Sequence, residues 1–224
     1  MSRIHDMGGR LGYGPVQPQP SEAVFEQSWH ARALAVTLAA GALGQWNLDM
    51  MRHARECLWP ADYMRFGYYE KWLAALADML VAQGVVCAQE LRTGQAMGES
   101  PLATRRLSAA AVGPALARGA PSLRSAKAAS PWPVGTRVRT LLPARNTRVA
   151  GGHTRLPAYL AGKTGRILMQ HGSHILPDSH AHGQGEAPEP LYTVVFDAAD
   201  LWGQPERAGD EITADLWHSY LAPE

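Results

Sequence analysis

Three stretches of the sequence concentrate side chains able to do chemistry. The run HGSHILPDSHAHGQGE, residues 171–186, supplies His171, His174, His180 and His182 together with Asp178 and Glu186. Imidazole and carboxylate are metal ligands, but the run lacks both the i, i+4 histidine pairing of a helical zinc site and the thiolates of a closed one. It reads as a long loop between strands, with a structural or interface use in preference to metal binding. The run NLDMMRHARE, residues 47–56, places Leu48, Arg52, Arg55 and Glu56 on one helical face with Met51 beside it. Two guanidiniums and a carboxylate among apolar neighbours suit recognition of an anion or oxyanion, or else form an exposed salt-bridged face. The third run, GGHTRLPAYLAGKTG, residues 151–165, sets His153 and Arg155 between a glycine pair and Pro157, in a turn expected to expose both. Its end, AGKTGR, resembles the tail of a phosphate loop, but the flanks PAYL and ILMQ read as strands, which makes Lys163 a turn lysine. Tyr68 and Trp72, one helical turn apart and beside Tyr69, read either as core or as a mixed aromatic wall. No nucleophile elbow, phosphate loop or dinucleotide-binding fingerprint is present in the sequence.

These side chains need elements to position them, and the sequence divides into four parts. Residues 1–22 are rich in Gly and Pro and read as an extended arm that, where ordered, lies on another surface. Residues 23–94 carry helical periodicity: SWHARALAVTLAAGAL stops near Gly41 to Gly44, Asn47 is a good N-cap, Pro60 suits the first turn of a short helix, and Gly84 ends the run that begins at Tyr68. Residues 95–132 shift to Ala, Ser, Pro, Gly and Arg and mark a linker, with TRRLSAAAVGPALA as a candidate short helix. Residues 133–224 change to a period of two in GTRVRTLL, TGRILMQ, LYTVVFDAADLW and ITADLWHSYL. Short strands at this spacing predict a small closed antiparallel barrel of the SH3-like kind, so the fold class is α+β.

Bulk composition excludes several function classes. With 21 basic and 20 acidic side chains the net charge is +1, too small for a dedicated nucleic-acid or anionic-membrane binder. Cys57 and Cys87, both in stretches read as helical, are the two cysteines of the sequence, which is no disulfide framework and fits a reducing cytoplasm. Neither a secretory h-region nor a run of apolar residues long enough to span a bilayer is apparent.

Taken together, IHDMGGRLGYGPV, NLDMMRHARE with YYEKW, GHTRLPAYLAGKTG, HGSHILPDSHAHGQGE, LYTVVFDAADLWG and DLWHSYLAPE resemble the β subunit of nitrile hydratase from end to end. The resemblance implies hydration of a nitrile to an amide at a cobalt(III) or iron(III) ion held by C-x-x-C-S-C, with oxidised cysteines, in a separate α subunit. This chain has no such motif, so it would bind no metal, would be inactive alone, and would complete the site in an αβ heterodimer or α2β2 heterotetramer. The resemblance assigns Arg52 and Arg155 to holding the oxidised cysteines, a task suited to a permanently charged, forked donor. It assigns Leu48, Met51, Tyr68 and Trp72 to the substrate pocket, and Glu56 and His153 to positions behind it that orient groups and guide protons. Trp72, where iron-type relatives tend to carry Tyr, points to the cobalt type. Two departures stand out: Ala161 where the family often has Arg before GK, and Lys71 where His is frequent. The alternatives are a thiocyanate hydrolase-type subunit, disfavoured because the two halves of this chain are separate polypeptides there, and a metallochaperone-like activator of an α subunit, disfavoured because such relatives resemble mainly the helical half.

Overall fold

The computed structural model describes residues 4–9, 15, 17–18, 23–125 and 132–224. Its described residues fall into two units, one within 13–120 and the other formed by 121–224 with the described part of 1–12. The boundary lies inside the 95–132 segment that composition marks as a linker. Much of the expected arm over 1–22 lies outside the described residues.

The first unit is helical. It runs through α1 (Ser28–Gly41), α2 (Leu48–Glu56), α3 (Pro60–Arg65), α4 (Tyr68–Ala82), α5 (Ala88–Thr93), a 3-10 turn (Ala103–Arg105) and α6 (Ala109–Arg118). Local signals explain its ends. The Asn47 side chain accepts from the Met50 amide at 2.9 Å to start α2, Pro60 occupies the first turn of α3, and the Glu70 carboxylate returns to the Gly67 amide at 2.6 Å to start α4. Just beyond α4, Gly84 takes φ +64°, the left-handed conformation that stops a helix cheaply. Met51 on α2 and Ala75, Leu76 and Met79 on α4 are buried together, with Trp46, Ala54 and Leu80 packed against them. This apolar seam fixes α2 on α4 and so sets the direction of every side chain on the outer face of α2. Cys57 and Cys87 are not inside helices but at their ends, as the C-cap of α2 and the N-cap of α5.

The second unit is built on an antiparallel sheet. Its strands are β1 (Leu123–Arg124), β2 (Arg137–Thr140), β3 (Thr164–His174), β4 (Glu189–Asp197), β5 (Glu211–Trp217) and β6 (Leu221–Pro223), in the order β5-β4-β3-β2-β6, with β1 added to β3. A short helix α7 (Pro177–His180) follows β3 and another, α8 (Ala198–Trp202), follows β4. β4 buries residues of both faces along most of its length, while β2 alternates between exposed and buried residues. The core contains Val138, Ile167, Tyr192, Val194, Phe196 and Leu216 from strands, joined by Leu156, Leu160, Leu176 and Tyr220 from the connections. The connections that carry chemistry are therefore anchored by their own apolar side chains.

Two expectations are corrected. Among the described residues no pairing joins β5 to β6, so the sheet is open where the sequence predicts a closed SH3-like barrel. β6 is three residues long and ends in Pro223, which has no amide to donate, so it offers little edge for closure. The PAYL segment is a 3-10 turn (Ala158–Leu160), not a strand, with Leu160 buried beneath it and Ala161 closing it. Conversely, β3 continues through Gln170 to His174, so the first part of HGSHILPDSHAHGQGE is strand and the middle is α7.

Candidate functional site

On α2 and α4 the helical repeat sets out one group of side chains. Arg52 donates to Asp49 at 3.1 Å, one turn back, and its side chain stays 38% exposed. Glu56 lies 3.3 Å from His53 Nδ1. Arg55 stacks its guanidinium over the Trp72 ring, 4.6 Å from the centroid, and this packing lowers its pKa, chiefly by desolvation with Tyr68 opposing. Tyr68 and Trp72 have ring centroids 5.5 Å apart, and Tyr69 extends the array toward His30 at 4.8 Å and Phe25 at 6.0 Å. Tyr68 is 65% exposed, so the aromatic array reaches the surface and is not core, and Leu48 on α2 is exposed as well, at 54%. Met51 lies in the α2–α4 seam, at 5% exposure. Lys71 points elsewhere, its ammonium 4.2 Å from the centroid of the Tyr63 ring.

In the strand unit the GGHTR loop is held by a buried polar network. The Asn146 amide donates to the carbonyls of His153 at 2.7 Å and Asp178 at 2.9 Å, and its Oδ1 accepts from the amides of Arg148 and Val149. The His153 amide donates to His182 Nε2 at 3.0 Å. Next along the chain, the Arg155 amide donates to the Tyr220 hydroxyl at 3.0 Å, and that hydroxyl in turn donates to the Asp178 carboxylate. Gly152 has no room for a side chain, because a Cβ there would lie 2.7 Å from His182 Nε2 and 2.8 Å from Asn146 Nδ2. His153, expected to be exposed, is buried at 1%, since the network pulls its backbone inward. Arg155 is exposed as expected, and among the described residues its guanidinium has no hydrogen bond or ion pair.

Burial makes this network electrostatically tense. The Asp178 carboxyl is raised to about 6, first by desolvation, against the lowering effect of the Tyr220 hydrogen bond and of His153. Tyr220 is raised well above its ordinary value by burial and by Asp178. The phenol therefore keeps its proton and remains a fixed link between Asp178 and the Arg155 backbone.

The histidines of residues 171–186 do not converge. His171 pairs with Thr193 Oγ1 at 2.7 Å, His174 with Ser122 Oγ at 3.0 Å and the His171 carbonyl at 3.2 Å, and His182 with the His153 amide. Glu186 makes a bidentate pair with Arg124 at 2.6 and 2.7 Å. Lys163 donates to the Asp200 carbonyl at 2.7 Å. Near this loop the N-terminal segment is docked: Asp6 Oδ2 accepts from the Ala158 amide at 3.0 Å, and Gly9 packs where a Cβ would lie 2.6 Å from Trp202 and 2.7 Å from Tyr159 Cβ. Sequence reasoning assigned no role to Asn146 or Tyr220, and none to Asp178 or His182 beyond the histidine run. Isolated polar residues in connections carry no periodic signal.

Comparison with known proteins adds an independent line. A family model described as nitrile hydratase beta subunit, N-terminal, matches residues 1–115, and its C-terminal counterpart matches residues 121–223. The nitrile hydratase subunit beta of Pseudomonas putida is 40% identical over all of both chains. The low-molecular weight cobalt-containing nitrile hydratase subunit beta of Rhodococcus rhodochrous is 33% identical, again over all of both chains. The cobalt-containing nitrile hydratase subunit beta of Pseudonocardia thermophila is 32% identical over 99% of this chain and 96% of that one.

Proposed function

Since this chain belongs to the nitrile hydratase β-subunit family, we propose that it completes, with a metal-bearing α subunit, a site where a nitrile takes up water to give an amide. In this reading Arg52 and Arg155 donate to the oxygens of oxidised cysteines in the α subunit. The carrying observation is Arg155 itself. Its backbone is locked by a buried network while its guanidinium is exposed and, among the described residues, unengaged. A protein that fixes an arginine main chain so firmly and leaves the fork free has prepared a donor for a partner. Arg52, tethered at one nitrogen to Asp49, is prepared in the same sense.

The other residues take supporting parts. Leu48, Tyr68 and Trp72 offer an apolar and aromatic wall for the substrate, with Met51 filling the space behind it. Glu56 and His153 orient groups and guide protons from behind the reacting atoms. A cobalt(III) ion held by the α subunit supplies Lewis acidity toward the nitrile, a preference supported by cobalt-containing relatives and by Trp72. The chain itself binds no metal and is inactive alone, and the assembly is αβ or α2β2. No helix among the described residues is long and apolar enough to cross a membrane, and two exposed free thiols fit a reducing cytoplasm. The strand order, with β6 returning beside β2 after a 3-10 turn (His218–Tyr220), supports an SH3-like plan left open at one side. The four-part division at 1–22, 23–94, 95–132 and 133–224 remains our reading of the domains.

Co-expression with the α subunit, followed by assays of amide formation, tests the proposal. Arg52→Lys and Arg155→Lys each keep charge and lose the fork, and each is expected to lower kcat by about a hundredfold or more. Full activity in both variants contradicts the assigned roles. Thiocyanate turnover measured beside nitrile turnover separates nitrile hydration from thiocyanate hydrolysis.

A further inference from the structure

Cys57 and Cys87 are both exposed, yet they have different neighbours. Cys57 Sγ lies 3.6 Å from His53 Nε2, one helical turn earlier, and the other ring nitrogen of His53 lies 3.3 Å from Glu56 Oε2. In the tautomer that donates from Nδ1 to the Glu56 carboxylate, Nε2 is an acceptor that faces the thiol. Thiol, imidazole and carboxylate thus stand in line at positions i+4, i and i+3 of a single helix. An imidazolium formed there is favoured by the carbonyl end of α2, which offsets the unfavourable field the same end exerts on a thiolate. Cys87 has no such base among the described residues: its sulfur accepts the Glu90 amide at 3.4 Å and donates to the Met97 thioether at 3.8 Å.

We infer that Cys57 is a modification site, a nucleophilic thiol that hydroperoxides oxidise to sulfenic acid. The thiolate, not the thiol, is the nucleophile, and a base that takes the proton raises its fraction. In the oxidation the sulfur lone pair forms a bond to one peroxide oxygen and the O–O bond breaks. The departing hydroxide takes the proton held on His53 and leaves as water, so thiol and peroxide yield sulfenic acid and water. The new oxygen sits at the residue following Glu56, at the end of the helix that carries Arg52. The inference stands on this chain alone and does not depend on the hydratase reading.

The test exposes the full chain to hydrogen peroxide in the presence of dimedone and follows adducts at each cysteine by peptide mass mapping. Cys57 is expected to accumulate adduct at least about tenfold faster than Cys87. His53→Asn, with a thermal melt matching the parent, is expected to bring the Cys57 rate to within about twofold of Cys87. Equal rates at the two cysteines in the unaltered chain overturn the inference without recourse to any variant. A folded His53→Asn chain that retains the fast rate overturns it as well.

Discussion

Arg52 and Arg155 present the same guanidinium from opposite kinds of support. Arg52 projects from the outer face of a regular helix, and its position follows from the 3.6-residue repeat, the Asn47 cap and one ion pair to Asp49. Arg155 projects from an irregular loop, and nothing local fixes it. Its place is set by Asn146, Asp178, His182 and Tyr220, between 23 and 65 residues away for the last three, which hold the GGHTR backbone from within the strand unit. Helical support is cheap and tolerant, because losing one contact leaves the backbone ladder intact. Network support is rigid and brittle, because each member leaves others buried and unsatisfied when removed.

That contrast can be broken most forcefully at Gly152. In Gly152→Ala the new methyl meets His182, Asn146 and Val149 together, all within 2.9 Å. It is expected to destabilise the strand unit by about 3 kcal/mol or more, visible as a melting shift of roughly 10 °C. Tyr220→Phe comes next, since it keeps the ring but strips the Arg155 amide of its acceptor and Asp178 of its donor. About 2–3 kcal/mol of stability should be lost in a denaturant titration, and kcat in the assembled enzyme should fall while the helical unit is untouched.

Asp178 yields a pH-dependent difference of comparable size. A carboxyl raised to about 6 in the folded state, from 3.8, binds its proton more tightly there than in the unfolded chain. Its contribution is therefore complete below about pH 4 and is lost as pH rises through about 6. Asp178→Asn keeps an acceptor for Tyr220 and cannot ionise. The melting temperature of the parent should thus fall relative to the variant between pH 4 and 7, by the equivalent of about 2–3 kcal/mol. On the helical side, Asp49→Asn should cost about 1 kcal/mol or less and reduce kcat by less than about tenfold, because Arg52 is partly exposed and the helix persists.

What was legible in the sequence follows the same division. The helix carrying Arg52 and Glu56, its Asn47 cap, the Pro60 start and the Gly84 stop were readable because each is a local signal within one or two turns. The strands from Arg137 onward were readable by alternation, but that the sheet stays open was not, since pairing between distant edges leaves no local mark. His153 was misplaced at the surface for the same reason. The partners that bury it, Asn146 and His182, lie 7 and 29 residues away. The histidines of residues 171–186 invited a metal reading by composition, whereas their geometry engages the rings of His171, His174 and His182 with Thr193, Ser122 and the His153 amide respectively. The roles of Arg52 and Arg155 come from family resemblance and not from spacing, which leaves open an ordinary salt-bridged face for Arg52 and an ordinary exposed turn residue for Arg155.

The most direct measurement is kcat for nitrile hydration by the αβ complex carrying Arg155→Lys, with complex formation and melting temperature checked against the parent. Loss of kcat by about a hundredfold or more, in a complex that assembles and melts as the parent does, is what a prepared guanidinium donor requires. Parental kcat in that complex would contradict it.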